Sequence, residues 1–346
     1  MPPTGPRLSV AAPARSAQGR RRRTTRPQDA GPQSGTAAVP GRSPHGLLPP
    51  DGAEYPLILR GAGYAWWRAA LGVVLALLTY PLLTPVINQA LVALAWATAG
   101  ASEDHADYAR RAYAFELPSG MLAANLAIAA FVPVCWLLVP VVHRRRPRWL
   151  SSVQPRIRWR YLLVGLAVAL VLFVGVPLLT SPSGPVPAGA VRPGFWTFLA
   201  VIILTSPLQA VAEELFFRGY LLQALSSLLA RPWLGVVVSA VVFAVFHGAQ
   251  SPAMFVDHLA LGLLAGIVVW RTGGLEAVIA AHVVNNVYSY VVAGLTTSPA
   301  DIRATIDITW QEAATDVGRF LVFVIGAVLV ARWMRLRTRV DLARGR

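Results

Sequence analysis

The sequence predicts an all-α membrane protein, a polytopic bundle of about eight transmembrane helices preceded by a disordered N-terminal tail. Three observations carry that reading. Of the 346 residues 55% are hydrophobic and only 14% charged, against roughly 25% charged in a soluble domain. The apolar residues gather in successive runs of about 20, the length a helix needs to cross a hydrocarbon core. The segments between those runs carry charge of a sign that follows a membrane topology.

Residues 1 to 60 are rich in Pro, Arg, Ser and Gly, with a basic block at Arg20–Arg23. They hold too few large apolar side chains to offset the entropy of ordering them, so a basic solvated tail is expected. No apolar stretch follows those arginines closely enough to make a secretory leader. A transmembrane domain is expected over 61–336, with spans beginning near Ala69, Met121, Tyr161, Phe195, Pro232, Met254, Leu275 and Val317. Pro81 and Pro85 are positioned to kink the first span. Between Phe195 and Leu229 a long apolar run is interrupted by Pro207 and by charges. That pattern fits one long broken helix, or a span followed by an amphipathic helix. Residues 337–346 read as a basic C-terminal tail.

The loops test the count. The segment before the first span is basic, whereas the first loop holds Glu103, Asp104, Asp107 and Glu116 against Arg110 and Arg111. The second, from Arg144 to Arg160, carries seven arginines. The last loop is acidic and the chain beyond Trp333 is basic again. The positive-inside rule then puts both termini in the cytoplasm of a multi-pass protein of the cell membrane, which needs an even number of spans. The formal charge of +15 would suit nucleic acid in a soluble chain. Here the arginines flank apolar runs, so the expected partner is the lipid bilayer and no nucleic acid. Cys135 is the single cysteine, which leaves neither an intrachain disulfide nor a cysteine-rich metal site.

Between Leu117 and Val256 the chain has two carboxylates, the adjacent Glu213 and Glu214. An ionisable side chain within a membrane costs on the order of 3 kcal/mol and calls for a partner. Glu214 and Arg218 are four apart and share a helical face on which they pair. Glu213 points about 100° away and its charge is left over. A carboxylate facing a cavity there suits a general base near neutral pH. Two of the six histidines, His247 and His282, lie within apolar spans on different helices. His282 and Asn286 share a face, from which imidazole and amide would donate to a developing oxyanion; Asn285 turns away. Phe243 stands one turn before His247, beside it, where its ring would wall the site against water.

The series Glu-Glu-x-x-x-Arg (Glu213, Glu214, Arg218), Phe-x-x-x-His (Phe243, His247) and His-x-x-x-Asn (His282, Asn286) resembles the CPBP family of CAAX proteases and bacteriocin-processing enzymes, also called Abi proteins. The resemblance covers about residues 195 to 295. It implies a glutamate-dependent intramembrane endopeptidase of eight helices, with a conical cavity open to the cytoplasm. On that resemblance Glu213 and His247 activate water, His282 and Asn286 hold the oxyanion, and Glu214, Arg218 and Phe243 support the site. The substrate is then a peptide or membrane protein cut near the cytoplasmic surface, and no cofactor is needed.

Other readings use the same residues. Glu213, His247 and His282 match the ligand set of a catalytic zinc site, which would make a membrane metalloprotease. A transporter or proton relay also keeps buried Glu and His, and a scaffold or immunity protein binds a partner without cutting it. Asp257 and Glu276 are expected at helix N-termini for dipole reasons, with His258 beside the first, and Trp270-Arg271 as an interfacial anchor. His45, His105 and His143 fall in the tail or at span ends. One difficulty is depth. His247 lies about 22 Å along the fifth span and His282 about 11 Å into the seventh, unless Gly248 and Pro252 break the chain in mid-membrane.

Overall fold

The structure is a computed structural model and describes residues 48–180, 194–248, 251–305 and 307–343. Its helices run in the order α1 (Trp66–Thr98), α2 (His105–Tyr113), α3 (Pro118–Ala129), α4 (Phe131–His143), α5 (Trp159–Leu170), α6 (Val176–Thr180), α7 (Phe195–Glu214), α8 (Leu222–Leu229), α9 (Pro232–Phe246), α10 (Pro252–Thr272), α11 (Glu276–Thr296), α12 (Pro299–Ala304) and α13 (Trp310–Trp333). Seven stretches are long and apolar enough to cross a membrane: α1, α3–α4, α5–α6, α7–α8, α10, α11 and α13. The eighth, α9, is apolar but has 15 residues. Every span expected from the sequence thus has its helix, and the chain is a multi-pass membrane protein. The last begins seven residues before Val317, because Thr309 and Glu312 form a reciprocal capping box that starts α13 in its polar turn.

The interrupted run at 195–229 is one continuous helix. The interruption is a π-helical segment, Leu215–Leu221, between α7 and α8. Such segments widen a helix and tend to occur at functional sites. Ser239 of α9 donates to the Phe217 carbonyl within it at 2.8 Å. Residues 212–227 are buried without a break, so this helix has no lipid-facing stripe there and forms the axis of the bundle. Helices α3 and α11 pack on α7, α9 packs on α8, and α10 lies between α9 and α13. Asn125 of α3 donates to Thr205 and Ser206 of α7 at 2.8 and 3.3 Å, the polar contact that packed membrane helices use in place of a hydrophobic drive.

Small residues set the distance between α9 and α10. A Cβ on Gly262 would meet the Cα and Cβ of Ala240 at 3.0 Å, and one on Gly266 would meet Val236 at 2.8 Å. The pair makes a Gly-x-x-x-Gly face that lets the helices approach. Gly262→Leu is expected to cost about 1–3 kcal/mol through overpacking. It should lower the thermal unfolding temperature in detergent. Gly318→Leu is the control, since a Cβ there meets nothing within 4 Å, and equal melting of the two variants would refute this packing.

The fold extends beyond the expected bounds of 61 and 336. Tyr55–Arg60 is a 3-10 helix with Tyr55, Ile58 and Leu59 buried. Val340 exchanges backbone hydrogen bonds with Gly52 and Ala53, each 2.9 Å, and Glu54 takes Arg339 at 2.5 Å and the Trp270 indole at 2.9 Å. The flanks that read as polar tails clip together, and Trp270 is tied to them rather than standing as a free anchor. The basic block and His45 lie outside the described residues. Glu276 opens α11 as expected, but it is fully buried and takes both Nε and Nη2 of Arg158 at 2.9 and 2.6 Å.

Candidate active site

The seven residues singled out in the sequence line one cavity of about 780 Å³. Glu213, Glu214 and Arg218 come from the α7 end and the π segment, Phe243 and His247 from the end of α9, and His282 and Asn286 from α11. Polar groups from α1 and α3, among them Tyr80, Asn88 and Asn125, complete the wall. Tyr80 belongs to an aromatic cluster with Phe131, Phe216 and Phe217, with ring centroids 4.9–5.7 Å apart.

The two glutamates differ in their bonding as the helical geometry suggested, with one addition. Oε1 of Glu214 accepts Nη1 of Arg218 at 3.2 Å and also Nδ1 of His282 at 2.7 Å. The carboxylate therefore serves two cations or donors at once. Because His282 donates from Nδ1, its Nε2 is turned to Glu213, 3.5 Å from Oε2. That Oε2 has no hydrogen-bond partner among the described residues, although Glu213 is 4% exposed. Gln209, one turn earlier on α7, also adjoins Glu213 and accepts Nδ2 of Asn286 at 3.0 Å. An amide nitrogen carries two hydrogens, so Asn286 keeps one for a ligand. The site can thus present an unshared carboxylate oxygen beside an imidazole and an amide.

His247 reaches this group through a stack rather than a hydrogen bond. It caps α9, and Gly248 follows at φ +64°, a left-handed residue that ends the helix as glycine does best. With α10 starting at Pro252, the break expected at Gly248 and Pro252 is present. His247 and His282 line the same cavity, so their different positions along α9 and α11 do not keep them apart. Nδ1 of His247 donates to the Phe243 carbonyl at 2.9 Å, leaving the Nε2 lone pair available. Its ring lies 4.1 Å from that of Phe243, and the Arg218 guanidinium lies over the Phe243 ring at 3.9 Å. Phe243 is thus the bridge between His247 and the Glu214–Arg218 pair, as well as a wall.

Other groups also stand at the cavity. Asp257 and His258 line it, and His258 stacks on His247 at 4.8 Å. Asp257 does not sit in the first turn of α10, which has no acidic residue, so the expected dipole role fails. The signal was there in an acidic residue and a histidine inside an apolar span. Asn285 is exposed yet also lines the cavity. His143, set aside as a span end, is buried with Nε2 3.1 Å from the Tyr220 hydroxyl, and His105 lies against Trp96. Among the described residues no three His, Cys, Asp or Glu side chains converge as a ligand set for one ion.

Residues 195–288 match the family described as type II CAAX prenyl endopeptidase Rce1-like. The chain is also similar to the uncharacterized protein YyaK of Bacillus subtilis (strain 168), 29% identical over 168 residues. That match covers 45% of this chain and 56% of YyaK, so the chain spans little more than half the length of the curated relative it matches. No solved structure matches the chain. The matched stretch contains both glutamates, Arg218, Phe243, His247, His282 and Asn286, so the likeness to the Rce1-like type II CAAX prenyl endopeptidases falls on the part of the chain that lines the cavity.

Proposed function

We propose that the protein is an intramembrane endopeptidase in which Glu213 activates water. The observation that carries this reading is a buried Glu213 whose Oε2 faces the cavity with no hydrogen bond among the described residues, next to a Glu214 that is held through Oε1 by both Arg218 and His282, its own Oε2 being likewise without one. Water held between Glu213 and Nε2 of His247 gives a proton to the carboxylate while its oxygen attacks the scissile carbonyl carbon. The carbonyl oxygen takes up the negative charge and is held by the free amide hydrogen of Asn286 and by Nε2–H of a doubly protonated His282, whose Nδ1–H stays on Glu214, the type of contact worth roughly 3 kcal/mol in oxyanion holes. Collapse breaks the C–N bond, and the proton on Glu213 passes to the leaving nitrogen. Glu214 and Arg218 orient His282, as carboxylate partners of functional histidines do. No cofactor takes part in this scheme.

The substrate of this reading is a peptide or a segment of a membrane protein that enters the cavity from the bilayer, cut near the cytoplasmic surface. In this reading α9 crosses with the seven longer spans, an even number, so both termini of the cell-membrane protein share one side, the cytoplasm. The arginines between Arg144 and Arg160 and after Trp333 support that orientation.

The test is hydrolysis itself. Purified protein in liposomes is incubated with membrane peptides in heavy-oxygen water, with and without a zinc chelator. New carboxyl termini carrying the heavy oxygen, in equal yield under both conditions, are expected. Absence of new termini would refute the peptidase. Loss of cleavage on chelation, with one metal ion bound per chain, would replace the glutamate scheme by a zinc one.

A further inference from the structure

We propose that Asp257 and His258 form a subsite that takes a basic side chain, lysine or arginine, of the peptide cut at Glu213; this rests on the endopeptidase reading. The charges around the cavity leave one anion over. Of the acidic residues lining it, Glu214 is paired with Arg218 and His282, Glu213 faces His282, and the half-exposed Asp316 pairs with Arg319 at 3.0 Å. The other arginine at the cavity, Arg303, is exposed over the Phe115 ring. The Asp257 side chain is 8% exposed, and its Oδ1 has no hydrogen-bond partner among the described residues. Its ion-pairing neighbour there is Nδ1 of His258 at 3.9 Å, and that nitrogen already donates to the Met254 carbonyl at 2.8 Å.

A buried carboxylate without a counter-charge is costly inside a membrane, and such residues mark ligand pathways. The helix terminus does not explain it, because Ser251 caps α10 on its own. The acceptors available are Oδ1 of Asp257 and, since Nδ1 of His258 is the donor, the Nε2 lone pair of His258. An ammonium offers three donors and a guanidinium five, which suits two acceptors on adjacent residues of the cavity wall. A bare metal ion would want further ligands, and no third His, Cys, Asp or Glu joins them among the described residues. The His258 ring lies against His247, which puts the basic residue within a side chain or two of the scissile bond.

A set of apolar peptides carrying one lysine at successive positions, each matched by the same peptide with norleucine, tests this with full-length protein in liposomes. For wild type, one lysine position should raise kcat/KM at least about 30-fold over its norleucine partner, the scale of a buried charge pair. Asp257→Asn should bring the ratio of lysine to norleucine cleavage, read within the variant itself, down to about one, with melting in detergent showing that it folds. Binding of the same pairs to Glu213→Gln protein is measured in parallel and should show the lysine preference without cleavage. The proposal is overturned if wild type shows no lysine preference, or if Asp257→Asn keeps it. Should no form cut any peptide, the endopeptidase reading falls, and the binding comparison still decides the subsite.

Discussion

The Glu213→Gln protein is expected to fold like the wild type and to cleave about 10²–10⁴-fold more slowly, the range of a lost general base. The two parts of this expectation have separate causes. Gln has the shape of Glu, and the Oε2 it replaces makes no hydrogen bond among the described residues, so little native bonding is removed. What is removed is the ability to take a proton from water. Glu214→Gln is the contrasting variant. It withdraws the charge that balances Arg218 and His282, both of which are bonded to Oε1, and breaking a buried pair costs about 3–5 kcal/mol. Melting in detergent should therefore stay near wild type for Glu213→Gln and fall for Glu214→Gln, with activity lost in both. Glu213→Gln retaining more than a third of the wild-type rate would remove Glu213 from the chemistry.

That contrast was legible in the sequence, because it depends on residues within one helical turn. Glu214 reaches Arg218 by the i,i+4 rule even though the π segment begins between them. The short α9 was legible too, through Gly248 and Pro252. What sequence spacing does not carry is contact between helices far apart in the chain. His282 bonds Glu214 across 68 residues, and nothing within the motif of His282 and Asn286 says which glutamate the imidazole takes. Asp257 was misread for a related reason. Its position at the start of an apolar run suggested a helix dipole, and only the packing of α10 against α9 and α13 shows it buried at the cavity. The terminal clip was illegible because its β-like bonds join Val340 to Gly52 and Ala53 by backbone atoms, which leave no trace in side-chain pattern.

The same limit hid the pair between Arg158 and Glu276, 118 residues apart, where the largest effect on stability is expected. Arg158 gives Glu276 two side-chain hydrogen bonds and its backbone N–H, and gives Nη1 to the Thr272 and Arg337 carbonyls. It thereby joins the start of α5, the end of α10, the start of α11 and the chain beyond α13. Side chains at 6% and 0% exposure leave no water to replace a lost partner, so Glu276→Gln and Arg158→Met should each cost about 3–5 kcal/mol. A buried pair can often be exchanged for apolar residues at little cost, but not here. Arg158→Met with Glu276→Leu still leaves the Arg158 N–H and two carbonyls without their partners, each worth about 1–3 kcal/mol when buried. The double variant is expected to melt above Glu276→Leu alone and below wild type. Since α11 carries His282 less than two turns from Glu276, cleavage should fall in step with melting across the series. Single variants that melt with wild type would show that the four ends are held by other contacts. A double variant as stable as wild type would show that the carbonyls find other donors.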